Sequence, residues 1–205
     1  MRIRRISHTI FALVLIGLGM IGLVKGTFGP GLEPVPASLP GRQVLAYLCD
    51  LVYLVCGVGL LLPRTAILAA RVLFAFLLLW LILLRLPWLL VDPQVNTWWP
   101  AASTSVILAA AWVLYASLAD DQDRQYLGFA VGENGVRVAT MLFGLGLIPL
   151  GLAHFLYLEA TAPLVPAWLI WPVFWSYFTG ASFIAAGMGV IFGVLPRLAA
   201  AFVTL

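Results

Sequence analysis

The sequence predicts an all-α, polytopic transmembrane helical bundle of about six spans, arranged as two repeats of parallel orientation. Three observations predict it. Hydrophobic residues make up 63% of the 205-residue chain and charged residues only 9%. A soluble domain carries roughly 25% charged residues, so lipid must solvate much of this surface. Six apolar segments are each long enough to cross a hydrocarbon core of about 30 Å. The chain also repeats itself. GLGMIGL at Gly17–Leu23 returns as GLGLIPL at Gly144–Leu150, and Val35-Pro36-Ala37 returns as Val165-Pro166-Ala167. Tyr47 returns as Tyr177, and Gly57-x-Gly59 as Gly187-x-Gly189. A repeat this long in so apolar a chain marks a duplicated membrane bundle.

The first span, Ile6–Val24, follows Arg2, Arg4 and Arg5 and has the outline of a signal peptide. Its length, the lack of a small-x-small cleavage site and the mid-chain return of its glycine-rich core make it a true span. The next segment, Thr27–Arg42, holds Pro30, Pro34, Pro36 and Pro40. It cannot be continuous helix and is expected to fold back as a cap over the outer end of the bundle. Such a cap either roofs a quinone or lipid pocket or simply closes the bundle.

The second span, Gln43–Leu62, contains Cys49 and Cys56, seven residues apart. Two helical turns separate them by about 10 Å, too far for a disulfide, so both are read as packing residues. Asp50 lies inside the same span. A carboxylate there is costly and needs a partner or a proton. Lys25, at the outer end of the first span, is the expected partner in an intramembrane ion pair. The third span, Thr65–Val91, carries Arg71 and Arg85, fourteen residues apart and nearly on one face. They are expected to snorkel toward opposite headgroup layers or to bind a partner's carboxylate.

The fourth span is Ala101–Leu118. The polar linker Ala119–Gly135 follows, and then the fifth span, Val136–Leu158. His154 lies near the outer end of that span, with Tyr157 at i+3 on the same face and Glu159 at the membrane boundary. An ionisable residue within a span is a functional candidate by default. His154 is thus expected to donate a hydrogen bond to a quinone carbonyl or relay a proton to the outer side, or else to bond a neighbouring carbonyl or loop structurally. A second proline-bearing loop, Glu159–Trp171, is also expected to cap the outer end. The sixth span is Pro172–Leu195. Gly22–Gly26 and Gly189–Gly193 fit the small-xxx-small spacing of close helix pairs.

These boundaries divide the chain into a first four-span repeat (1–118), a linker (119–135) and a second repeat (136–205). The second repeat holds two spans and the start of a third after Pro196-Arg197, which echoes Pro63-Arg64. The expectation is a gene that continues past Leu205. Basic residues orient the bundle. With the N-terminus inside, Arg2, Arg4, Arg5, Arg64, Arg71, Arg124, Arg137 and Arg197 lie on the inner side, against Lys25, Arg42 and Arg85 outside. The net charge of +3 is scattered, which excludes a nucleic-acid surface. No nucleotide loop, nucleophile elbow or metal-ligand spacing is present, so a hydrolase, a kinase or a metal centre has no support.

GLAHFLYLEATAPLVPAWL (Gly151–Leu169), followed by Trp175-Ser176-Tyr177-Phe178-Thr179-Gly180 and a Gly-x-Gly span, resembles the DoxX-like membrane proteins. The resemblance covers the second half closely and reaches Gly17–Leu62 through the repeat. It implies a small multi-pass protein of a bacterial inner membrane, N-terminus cytoplasmic. The expected function is that of a non-catalytic accessory subunit in a larger respiratory or photosynthetic complex, held among other integral membrane subunits. Resemblance to the DoxD-type relatives gives the alternative, a quinone-interacting subunit of a thiosulfate:quinone oxidoreductase-like enzyme. In that case His154, Tyr157 and Glu159 would contact quinone or a bound lipid.

Overall fold

A computed structural model describes residues 2–37, 39–92 and 94–193. Among the described residues the regular structure is helical, and six helices are long and apolar enough to cross a membrane. The chain runs through α1 (Arg2–Lys25), α2 (Arg42–Leu61) and α3 (Ala66–Trp80), then a π-helical turn (Leu81–Arg85) that leads into α4 (Leu86–Val91). It continues with α5 (Val95–Leu118), the short α6 (Asp121–Tyr126), α7 (Gly132–Leu156), the short α8 (Leu158–Thr161) and α9 (Pro172–Ile191). The expected spans match these helices to within a few residues, except that the helix of the fourth begins six residues earlier, at Val95, and the expected end of the sixth, Leu195, lies outside the described residues. The continuation after Pro196-Arg197 lies outside the described residues.

The third span departs from uninterrupted helix for a reason written in its sequence. Pro87 has no N–H to give the carbonyl of Leu83. The helix widens ahead of it, and the Leu86 N–H bonds the Leu81 carbonyl five residues back. Arg85 sits at the end of the widened turn.

Successive spans pack antiparallel. Gly57 approaches Ala12 and Ile16 while Gly19 approaches Asp50 and Leu54, which fixes the direction of α2 against α1. Phe74 stacks on Tyr115 across α3 and α5, and Arg85 meets Thr104 further along the same pair. Gly146 abuts Ala102 and Val106 of α5, and Gly144 and Gly151 abut Gly187 and Gly180 of α9. The alternation makes α7 run in the same direction as α1. Helices with no water to exclude gain their cohesion from close backbone approach and van der Waals contact, which small residues permit.

The interior lies mainly among the first four spans and is centred on Leu15, Leu32, Tyr53, Leu73, Leu77 and Leu108. Between α7 and α9 the core shrinks to Leu147 and Ala186, because glycine on glycine leaves little side chain to bury. Outward positions such as Val44, Leu68, Leu83 and Leu90 are exposed aliphatics, solvated by lipid in a membrane.

The two proline-bearing loops behave differently. The first enters the bundle: Phe28, Leu32 and Val35 are buried, and Phe28 packs on Trp80. Gly31 has φ +86°, and a Cβ there would collide with Ile107, so only glycine fits this turn. The second loop stays outside, with Leu164, Trp168, Ile170 and Trp171 all exposed. It is tied down where Thr161 and Ser176 share a hydroxyl hydrogen bond of 2.7 Å. Only the first loop plugs the bundle, since α7 and α9 form a two-helix hairpin with no four-helix interior to fill.

Candidate functional site

At the end of the bundle that carries the N-terminus of α1, the polar linker is clamped to the spans. Arg71 Nη2 donates to Asp120 Oδ2 at 2.6 Å and to Asp123 Oδ2 at 2.9 Å. Tyr115 donates its hydroxyl to Asp123 Oδ1 at 2.9 Å. Asp120 and Asp123 also form a reciprocal capping box that starts α6. Trp112 anchors the segment further on by donating Nε1–H to the Ala130 carbonyl at 2.7 Å. Arg71 therefore does not reach for a lipid headgroup or another chain. Its carboxylates are its own, some fifty residues on, and a bidentate guanidinium satisfies both.

Burial alone would raise the Asp123 carboxyl. Hydrogen bonds from Arg71, the Asp120 N–H and Tyr115, with the charge of Arg71, hold it below the ordinary value of 3.8 instead. The sign of the linkage follows. A carboxyl depressed in the folded state stabilises the fold at any pH above its unfolded value and loses that contribution as pH falls through the folded one. Thermal stability in detergent should thus show no contribution from Asp123 titration from neutral pH down to about 4. It should fall below that, and the fall should be absent in Asp123→Asn.

At the opposite end, a second set of polar groups is buried among α2, α3, α5 and the plugging loop. Asp50 is fully buried, and its Oδ1 accepts the Gly29 N–H at 2.9 Å. Gly22 lies against its carboxylate, so close that a Cβ there would collide with it. The expected Lys25–Asp50 ion pair does not form. Lys25 is exposed at the last turn of α1, and the loop amide takes the position a cation would have held.

Arg85 is also buried, at 5% exposure, and does not snorkel outward. Nη1 donates to the Pro34 carbonyl at 2.6 Å and Nε to Thr104 Oγ1 at 3.4 Å. Thr104 in turn donates to the Gly31 carbonyl at 2.6 Å. The π turn and the loop together thus turn this arginine inward. Four side-chain atoms here are buried without a hydrogen-bond partner among the described residues: Asp50 Oδ2, the Tyr53 hydroxyl, Trp80 Nε1 and Arg85 Nη2. Tyr53 stands within electrostatic reach of both Asp50 and Arg85.

Arg85 borders a cavity of about 400 Å³ beneath the loop. Pro34, Val35 and Pro36 form one wall, Leu84 and Trp88 another, and Trp99 and Pro100 a third. Asp92 and Thr97 complete it toward the end of the bundle. The volume falls within the range of small-molecule sites, and so does the mixture of apolar walls with a few polar groups.

His154 lies apart from this region. Its Nδ1 is 2.8 Å from the Leu150 carbonyl, one turn back in its own helix, and its ring meets Phe183 edge-on. A carbonyl only accepts, so Nδ1 is the donor in this bond, which commits that nitrogen to its own helix. Tyr157 does not share a helical face with His154, because α7 ends at Leu156 and Tyr157 has left helical geometry. Glu159 is exposed in the first turn of α8.

Sequence reasoning thus singled out Asp50, Arg71 and Arg85 as chemically expensive but missed the partners within the chain that the structure gives them. It overlooked Asp123, Thr104 and Asp92. The acidic run Asp120-Asp121-x-Asp123 was a usable signal, since it places acids at the end of the bundle where Arg71 lies. No family model, curated protein or solved structure matches the chain.

Proposed function

We propose that the chain is a DoxX-like, non-catalytic accessory subunit of a larger respiratory or photosynthetic complex. It sits in a bacterial inner membrane with its N-terminus in the cytoplasm, and its two halves descend from one duplicated unit. The observation that carries this reading is the α7–α9 hairpin. Its α9 packs chiefly on α7, and α7 in turn on α5. The outer face of α9 therefore presents Phe174, Tyr177, Phe178 and Met188, all exposed. An appended, aromatic-rich helix suits contact with a neighbouring integral subunit, where aromatic and Met side chains concentrate. Arg71 is paired within the chain and His154 Nδ1 is bonded to its own helix, which favours a scaffold over an exchange of protons or electrons.

The test is purification of the full-length chain from its native membrane in mild detergent, with mass spectrometry of the intact assembly. A cofactor-bearing complex in fixed stoichiometry is expected. It should survive His154→Ala and dissociate in Phe174→Ser/Phe178→Ser. Quinone reduction by the isolated chain, abolished in His154→Ala, would overturn the reading in favour of the quinone-linked alternative.

A further inference from the structure

We propose that the cavity beneath the first loop is a binding site for the headgroup of a zwitterionic phospholipid bearing a primary ammonium, such as phosphatidylethanolamine. Its phosphate would lie on Arg85 and its ammonium on Asp92.

The cavity carries two opposite charges that do not satisfy each other. The Arg85 guanidinium has five N–H donors. Two are committed, to Pro34 and Thr104, and Nη2 has no partner among the described residues. Among the described residues no carboxylate lies within ion-pair distance of it, and Glu33, the acid on the loop, is paired with Arg42 at 3.3 Å. A guanidinium at 5% exposure in a lipid-solvated bundle lacks the water that would otherwise stabilise its charge. Its planar donor fork matches phosphate oxygens. Asp92 is half-buried at the other end of the same cavity, and among the described residues its carboxylate likewise has no ion-pair partner.

The order of the charges selects the ligand. Arg85 and Asp92 are seven residues apart along one span, two turns or about 10 Å of rise. Arg85 is the deeper, and Asp92 ends α4. A lipid in the adjacent leaflet has its phosphate next to the acyl chains and its ammonium further out, which is the same order. A phosphate and an ammonium two carbons apart, each with a hydrogen bond to its partner, bridge a gap of this order. A purely anionic headgroup would satisfy Arg85 but meet Asp92 as a like charge. A quaternary ammonium has no N–H for Asp92 to accept. The walls argue for a lipid over a soluble zwitterion: Leu84 and Trp88 line the cavity, and Leu83, Leu86 and Leu90 beside it are exposed to hydrocarbon.

Native mass spectrometry of the purified full-length chain tests the assignment, after exchange into detergent with equal amounts of phosphatidylethanolamine, phosphatidylcholine and phosphatidylglycerol. Phosphatidylethanolamine should be retained at least about tenfold over the other two, the size of a charge-assisted hydrogen bond. Asp92→Asn should keep phospholipid but lose the preference among headgroups. Arg85→Gln should lose retention of all three by about tenfold. Should Arg85→Gln fail to fold, Asp92→Asn alone decides, since among the described residues the Asp92 side chain makes no hydrogen bond or ion pair to another element. Equal retention by the parent chain, or an unchanged preference in Asp92→Asn, would overturn the proposal. Glycerophosphoethanolamine that displaced the lipid at equal concentration would overturn the lipid assignment and leave a soluble headgroup as the ligand.

Discussion

Substituting Asp50 by leucine is expected to destabilise the bundle by about 4 kcal/mol, whereas Asp50→Asn should stay within about 1 kcal/mol of the parent chain. Two costs add in the leucine variant. The Gly29 N–H loses its acceptor inside a dry interior, worth about 1–3 kcal/mol. The leucine methyls are wider than the carboxylate oxygens they replace and must fit where the carboxylate already abuts Gly22, and overpacking costs a further 1–3 kcal/mol or so. Asparagine keeps an acceptor of the same shape and removes a charge from a fully buried position. Thermal unfolding of the three proteins in one detergent, followed by tryptophan fluorescence, separates the cases. An Asp50→Asn variant as unstable as Asp50→Leu would show that the charge itself is required, and the hydrogen-bond account would fail.

Asp123→Ala is expected to cost about 3 kcal/mol, a lowering of the midpoint on the order of 6–12 °C. The buried carboxylate serves Arg71, the Tyr115 hydroxyl and the Asp120 N–H at once. Removing it leaves the tyrosine hydroxyl without its acceptor and opens the capping box of α6. Cleavage within 119–131 under limited proteolysis should accelerate together with the loss of stability. Asp121→Ala is the control. Asp121 is fully exposed, and its 3.8 Å contact to Arg124 is a surface pair of little worth. The clamp account would be wrong if Asp123→Ala matched Asp121→Ala in both measurements.

Much of the candidate site could be seen in the sequence as cost, little of it as contact. Asp50 and Arg85 stood out because a charge inside a span has a high price in any fold. Their partners did not stand out, because two of them are backbone groups, the Gly29 N–H and the Pro34 carbonyl. Every residue has such groups, so no residue type announces them. Lys25 was the opposite charge at the outer end of the neighbouring span, but the plugging loop supplies the group that bonds Asp50. His154 was conspicuous as an imidazole near a helix end, and the bond that occupies it runs to a carbonyl of its own helix.

The sequence by itself determined the six spans, the breaks between them and the plugging loop's non-helical character. These follow from apolar length and proline placement, which act over a few residues. Tertiary structure alone decided which charges are satisfied and where a ligand has room. The contacts that settle this join Arg71 to Asp123 across 52 residues and Arg85 to Pro34 across 51. Such contacts depend on how each helix is rotated about its axis and how deep the loop sinks. Both are set by close packing at positions such as Gly19, Gly22 and Gly57, and local hydrophobicity carries no record of either.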